Sequence, residues 1–579
     1  MRRVLACALL LLALAAEAAG AADPIVSLRD VHRGMTCTAR TVVQGTDIVG
    51  FDAEVLDVVS DLDGTGERIL VRVSGPAVDR TGVASGFSGS PVYCAGADGA
   101  IGNVGAISAT IGQYGNDVAL VTPIEQMLRL PVHPPSAVRK APGLLRAARP
   151  LATPIVLSGL SPSLGRAIER AARDHGRSIV AVPAGPLKEF PPQPLVPGAS
   201  MAVGLSSGAL AASGIGTVTY RDGDTIYGFG HPLESVGRRA LLLQDAYVFT
   251  VVNNPLGVEE LSSYKLAAPG HTLGTLTNDA PAGVVGTVGA APRTVPLDVR
   301  VRDLDRDVTV RQHTDLVDEV DLGDPNGMNL LTLIASAAVA QGVTTAFDGA
   351  PAQETGRFCL TTHVRELRRP LRFCNRYVAQ GPTFGESPLA LAMGSAVEGA
   401  LTPIVSARFA ALHLTRIEAS ATIERGARLA TIRSASVTPR VVKPGRSVRV
   451  ALRVRLYRGP LRTLRFSTRI PRGVPAGPQT LTFGGTSADD NFGGFFEDLF
   501  GEGPDDGGVQ SLRQVVDAYE GMTFWDGVRA KLGSERWHAY RDANLRIDGR
   551  VRTEIVVAGR RRGEDELPPQ LRRLRDQLS

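Results

Sequence analysis

Aromatic residues are scarce in this chain. They make up 5% of its 579 residues, and the only tryptophans are Trp525 and Trp537. Sugar and base recognition lean on exposed ring platforms in series, so a glycan binder finds little to work with, and no spacing of carboxylates points to a glycosidase pair. Charge is equally unrevealing. The net charge of +5 is spread over scattered arginines, with no stripe of basic residues interleaved with aromatics, so no nucleic-acid partner is expected. No Gly-x-x-x-x-Gly-Lys string occurs, which argues against a nucleotide site. None of the five cysteines lies in a C-x-x-C pair, which argues against zinc. Asp489-Asp490 and Asp505-Asp506 lack the regular ligand order of a calcium loop. No metal or cofactor is therefore expected. Beyond the first residues no run reaches ~18 consecutive apolar residues, so no transmembrane span is expected in the mature chain. No internal repeat is visible.

What the chain does have begins with an address. Arg2 and Arg3 precede a short apolar run, Val4 to Ala16, and Ala19-Gly20-Ala21 has the small-x-small form of a signal peptidase site. Residues 1–22 read as a cleaved signal peptide. The protein is expected to cross the cytoplasmic membrane and to be secreted or held in the cell envelope or periplasm. Cleavage removes Cys7 and leaves Cys37, Cys94, Cys359 and Cys374. An even count in an exported chain fits two disulfides. Sequence grouping favours Cys37–Cys94 and Cys359–Cys374 among the three connectivities.

With 44% hydrophobic residues and 64 glycines, the composition predicts a mainly β protein that buries real cores. Residues 23–130 hold β-like runs such as Ile69 to Val73, separated by Gly- and Asp-rich turns. Residues 131–195 form a Pro-rich linker and a helical segment, Ser163 to Arg173. Residues 196–290 form a second β-rich unit, in which Gly214 to Tyr220 and Thr225 to Tyr227 flank a turn at 221–224. Residues 291–404 read as a mixed α/β region with a helix from Met328 to Ala340. Residues 405–485 alternate apolar and polar residues, most clearly from Val448 to Leu456, as a β-sandwich-like module would. Residues 486–510 read as an acidic Gly-rich linker, and 511–579 as a helical, charged tail running as a helix from Val509 to about Leu532.

One string carries chemistry. Gly86-Phe87-Ser88-Gly89-Ser90-Pro91 sets a hydroxyl among small residues, where the backbone can turn sharply and leave room for a carbonyl. The same turn can aim the amides of Gly86 and Ser88 at a developing oxyanion. Gly and Ser are also what any tight hairpin would choose. A serine needs a base. Of nine histidines, His231 stands out in Gly228-Phe229-Gly230-His231-Pro232, with His271 in Pro269-Gly270-His271-Thr272 as its competitor.

Together these strings resemble the SpoIVB peptidase family of bacterial serine peptidases. Gly34-Met35, Phe51 to Leu56, Ser74-Gly75-Pro76 and Thr122 to Leu128 are similar to its serine-bearing half. Gly216 to Tyr220, Ser263 to Gly270 and Gly274-Thr275 with Asp279 are similar to its histidine-bearing half. The likeness covers roughly residues 30–290. Three departures stand out: there is no PDZ module, the serine precedes the histidine, and Phe87 replaces the usual Met. The resemblance implies a pair of trypsin-like β-barrels and serine endopeptidase activity. Ser88 would be the nucleophile, His231 the base, and the amides of Gly86 and Ser88 the oxyanion hole. Asp279, Asp79 and Asp224 are candidates for the acid, with Asp279 preferred. The partner would be a protein or peptide substrate, and the C-terminal module could hold an envelope protein. The alternative is a binding or scaffold relative that keeps the fold without the chemistry.

Overall fold

A computed structural model describes residues 22–60, 66–111, 116–135, 148–150, 155–174, 179–182, 190–254, 263–322, 330–349, 351–381, 387–485, 510–522, 527–542 and 544–558. The signal segment through residue 21, the acidic stretch 486–509 and the end of the chain lie outside the described residues.

The first unit is built from β1 (Thr36–Val42), β2 (Ile48–Ser60), β3 (Glu67–Ser74), β4 (Pro91–Ala95), β5 (Ile101–Ile111) and β6 (Val118–Pro123). Inward and outward residues alternate along these strands. Phe51, Ala53 and Val55 of β2 face Ile69, Val71 and Val73 of β3 in one core. The sheet runs β4-β1-β2-β3-β6-β5, and β4 also pairs with β5, so six strands close into a barrel. Cys37 of β1 pairs with Cys94 of β4 in the ladder, and the two form a disulfide. Helix α1 (Ile124–Leu128) follows β6, and β7 (Ala148–Pro150) adds to the outside of β5.

The segment read as linker and helix also contains strands. β8 (Ile155–Ser158), α2 (Pro162–Asp174) and β9 (Ile179–Val182) form a β-α-β unit, with β8 and β9 parallel. Strands this short carry no alternation to read. β8 joins the sheet of the second unit by pairing with β12 (Ala211–Asp222). That second unit also contains β10 (Ser200–Gly204), β11 (Ser206–Gly208), β13 (Thr225–Gly228), β14 (Gly237–Val252), β15 (Tyr264–Ala280) and β16 (Gly283–Val288). The order β10-β14-β15-β16-β13-β12, closed by β10 against β12, makes a second six-stranded barrel.

β11 leaves this barrel and pairs with β18 (Val308–Val317). β18 lies beside β17 (Thr294–Asp303) in a sheet completed by β19 (Gln353–Val364), β20 (Leu371–Gln380) and β21 (Leu414–Arg425). The second disulfide, Cys359–Cys374, crosses the β19–β20 hairpin. Helices α3 (Leu330–Phe347) and α4 (Pro388–Val405) pack on each other and on this sheet. Both are long and apolar enough to cross a membrane, but 89% of α3 is buried inside the protein, which accounts for its composition. One hydrophobic core runs from the second barrel through this sheet and both helices. The mixed region is thus neither a missing part of the barrel nor a separate domain.

The last unit is a sandwich. One sheet has β22 (Leu429–Thr438), β24 (Ser447–Leu456), β25 (Leu461–Arg469) and β29 (Arg546–Asp548). The other has β23 (Val441–Val442), β26 (Gly477–Gly485), β27 (Gly527–Leu532), β28 (Glu535–Arg541) and β30 (Arg550–Val557). Val448, Val450, Leu452 and Val454 point into its core while Arg449, Arg453 and Arg455 point out. Two boundaries are corrected. The module begins after β21, which belongs to the preceding sheet. The expected helical tail is only α5 (Leu512–Gly521), and the chain then returns as strands to finish the sandwich. Arg529 and Lys531 face outward between Val528, Ala530 and Leu532, so charge on the exposed face disguised a period-two pattern.

Candidate functional site

The two motif strings meet where the barrels touch. The serine loop joins β15 through a bridge: the Ser85 amide donates to the Ser263 carbonyl and the Lys265 amide to the Ser85 carbonyl, each at 2.8 Å. The Thr217 amide donates to the Ser88 carbonyl at 2.8 Å, and the Thr219 hydroxyl to the Gly89 carbonyl at 2.8 Å. Gly89 then donates to the Ile107 carbonyl, and its bare Cα lies against the Thr217 carbonyl and the Phe229 amide. From the other side, the Gly230 carbonyl accepts from the Thr122 hydroxyl of the first barrel at 2.6 Å. Ser88 and His231 are each the neighbour of a residue in this seam.

Both candidate residues are buried, Ser88 at 1% and His231 at 7% relative exposure. Ser88 Oγ and His231 Nε2 have no hydrogen-bond partner among the described residues. No Ser88 Oγ–His231 Nε2 hydrogen bond is therefore formed; hydrogen bonds of catalytic sites often tighten only on substrate binding. His231 Nδ1 lies 2.7 Å from the Pro232 carbonyl. A carbonyl can only accept, so Nδ1 carries the proton and Nε2 keeps its lone pair, the tautomer a general base needs. Burial holds the imidazole down to about 4, against the weaker opposing pull of that carbonyl, and so keeps it neutral. Phe229, two residues earlier, is held at φ +67, a conformation non-glycine residues avoid.

The neutral imidazole has a consequence for stability. Its ordinary pKa is 6.5 and its folded value about 4, so its contribution is whole above 6.5 and is lost as pH falls through about 4. The loss amounts to about 3 kcal/mol. Urea unfolding of wild type and His231→Gln at pH 7 and pH 4.5 reads it: the wild-type advantage should shrink by about 2 kcal/mol. A constant difference would show that the ring titrates alike in the folded and unfolded chains, so that burial does not lower its pKa.

The candidate acids occupy different places. Asp79 is exposed and accepts from the Gly75 amide at 2.7 Å, and Asp224 is exposed on the β12–β13 turn. Asp279 is fully buried on β15, and its oxygens take the amides of Leu233 (2.7 Å), Glu234 (2.8 Å) and Val236 (3.4 Å). Burial pushes its pKa up, opposed by these amides and by the charge of Arg239. Arg239 ties the same loop to Glu234 at 2.6 Å and to Glu319 at 2.8 Å. Asp279 thus acts on the segment just after His231, while the ring's own partner is a backbone carbonyl. Asp279→Ala strands three amides and should cost about 3 kcal/mol in urea unfolding, whereas Asp79→Ala should cost under about 1. Equal costs would remove the distinction.

His271, the competing base, is paired with the buried Asp245 at 3.0 Å and stands against Phe190.

The candidate oxyanion amides, those of Gly86 and Ser88, are oriented by their neighbours' carbonyls. In a planar trans peptide the C=O and the following N–H point opposite ways. The Ser85 carbonyl is held by the Lys265 amide, and the Phe87 carbonyl by the Ser90 amide at 2.9 Å. The amides of Gly86 and Ser88 therefore point away from those partners, and neither donates to a described residue. Preset amides without an acceptor are what an anion site requires.

Sequence reasoning did not single out Lys265. It is 2% exposed, and its ammonium donates to the hydroxyls of Thr41 (2.8 Å), Thr217 (3.2 Å) and Ser200 (3.4 Å). Its burial, with no carboxylate partner among the described residues, brings its pKa down to about 7. The only signal for it was its place in the Ser263 to Gly270 string. Among the described residues no cluster of His, Cys, Asp and Glu could hold a metal ion.

No protein-family model, curated protein or solved structure matches this chain.

Proposed function

We propose that this protein is an exported serine endopeptidase of the SpoIVB type that cleaves peptide bonds of cell-envelope proteins. The observation that carries the reading is that the serine loop and the histidine loop meet in one seam between two closed barrels, each with a buried side-chain atom, Ser88 Oγ and His231 Nε2, that has no hydrogen-bond partner among the described residues. The histidine is moreover held in the base tautomer. In the reaction Ser88 Oγ attacks the scissile carbonyl carbon as its proton passes to His231 Nε2, and the amides of Gly86 and Ser88 receive the oxyanion. His231 then returns the proton to the leaving amine, and water hydrolyses the acyl-enzyme through the same base. Pro232 supplies through its carbonyl the orientation that a carboxylate usually gives, and Asp279 supports it by fixing residues 233–236. The two disulfides fit an oxidising compartment, and with the N-terminal address they support export.

A second reading, a scaffold that keeps the fold without turnover, is favoured by the 1% exposure of Ser88, which leaves no path for a substrate carbonyl unless the seam opens. Mass spectrometry of the purified mature protein after treatment with a fluorophosphonate separates the two. A phosphonylated Ser88 peptide supports the peptidase. A folded protein with no adduct supports the scaffold.

A further inference from the structure

Lys265 puts a cation beneath the serine loop that the chemistry above does not use. Its three ammonium hydrogens meet three hydroxyls drawn from both barrels: Thr41 of β1, Ser200 of β10 and Thr217 of β12. Its side-chain carbons fill the space that a Cβ on Gly86 would need, with the closest at 3.1 Å. Its ammonium lies 5.0 Å from the centre of the Phe87 ring. The lysine therefore touches the loop on two consecutive residues just before Ser88.

Thr217 links this cation to the loop. Its hydroxyl accepts from Lys265 Nζ at 3.2 Å and donates to the Gly86 carbonyl at 3.0 Å. Its amide donates to the Ser88 carbonyl at 2.8 Å. A hydroxyl that accepts from a cation is a stronger donor to its next partner. Accepting from Lys265 also commits the single hydroxyl hydrogen of Thr217 to Gly86.

We propose that Lys265 is a positioning residue of the serine loop, holding the Gly86 carbonyl through Thr217 so that the amides of Gly86 and Ser88 stay turned toward the substrate oxygen. The assignment of a substrate oxygen rests on the peptidase reading; the holding of the loop does not. Removing the relay leaves the Gly86–Phe87 peptide held only through the Phe87 amide on the Ala84 carbonyl at 2.9 Å, and so loosens the two flanking peptides that carry the amides of Gly86 and Ser88. The Ser88 hydroxyl would remain, but without its oriented amides.

The test uses the full-length mature protein and four variants: Lys265→Met, Lys265→Arg, Thr217→Val and Thr217→Ser. Thr217→Val keeps the volume and loses the hydroxyl, and Thr217→Ser restores it. Two quantities are read: the second-order rate of fluorophosphonate labelling, and hydrogen exchange by mass spectrometry in a peptide covering residues 84–92. That peptide contains the bonded amides of Phe87, Gly89 and Ser90. We expect Thr217→Val and Lys265→Met to label about 10–100-fold slower and to exchange at least about 10-fold faster in this peptide, with Thr217→Ser within about 3-fold of wild type in both. Lys265→Arg, too large for the pocket against Gly86, should behave like Lys265→Met.

Equal labelling and equal exchange of Thr217→Val and Thr217→Ser would overturn the proposal. If Lys265→Met exchanges faster throughout both barrels, its fold is at fault and the threonine pair alone decides. If wild type does not label, the peptidase reading fails. The exchange comparison then still stands or falls by itself: faster exchange confined to residues 84–92 in Thr217→Val supports the relay, and its absence rejects it.

Discussion

Ser88→Ala and His231→Ala should each lower fluorophosphonate labelling and any peptide-bond hydrolysis by about 10³-fold or more. The two losses should be nearly equal, and the double variant should be no worse than either single one. The reason lies in the coupling of the two groups. A serine hydroxyl without a base stays protonated and is a poor nucleophile, and a base without the hydroxyl has nothing to activate. Neither variant should unfold the protein. Ser88 Oγ and His231 Nε2 make no hydrogen bond with the described residues, so removing them strands no partner there at those atoms. His231 Nδ1 does have a partner, and the Pro232 carbonyl it leaves is half-buried and can turn to water. Labelling that survives in His231→Ala but not in Ser88→Ala would mean that another group takes the proton, and His231 would lose its role.

Gly89→Ala should have the largest effect on stability of any single change in the seam. A Cβ there would overlap the Thr217 carbonyl oxygen and come within 2.5 Å of the Phe229 amide nitrogen, and Gly89 itself sits at φ +92. Both obstacles are backbone, so neither can swing aside, and the barrels would have to part. A cost above about 4 kcal/mol is expected, seen as failure to accumulate folded protein or as loss of exchange protection in both barrels. Gly99→Ala is the control. Gly99 has φ +79 but open space around it, so only backbone strain remains, at about 1 kcal/mol. If the two variants unfold alike, strain rather than contact between barrels would explain Gly89.

The mainly β class, the two serine- and histidine-bearing units, both disulfide pairings and the helix at Pro162–Asp174 were legible because each rests on local pattern. Period-two alternation, turn residues and nearby cysteines all lie within one hairpin or one barrel. The places of the three candidate acids were not legible for a physical reason. Three aspartates stand in turn- or strand-like contexts that look alike in sequence, and only packing separates the buried Asp279 from the exposed Asp79 and Asp224. The C-terminal strands were missed because the outward face of a sandwich edge carries the charge of a solvated tail.

By itself the sequence singled out the residues proposed for chemistry, Ser88 and His231, within glycine-flanked strings whose small residues let a backbone turn tightly. Tertiary structure alone decided what surrounds them. Lys265 lies 224 residues from Thr41, yet the two meet at 2.8 Å. The orientation of the Gly86 amide is set by the hydrogen bond from the Lys265 amide, on a strand of the other barrel, to the Ser85 carbonyl. Contacts of that span follow from how two closed barrels dock, because no local preference of the chain fixes which strand will lie beneath a loop.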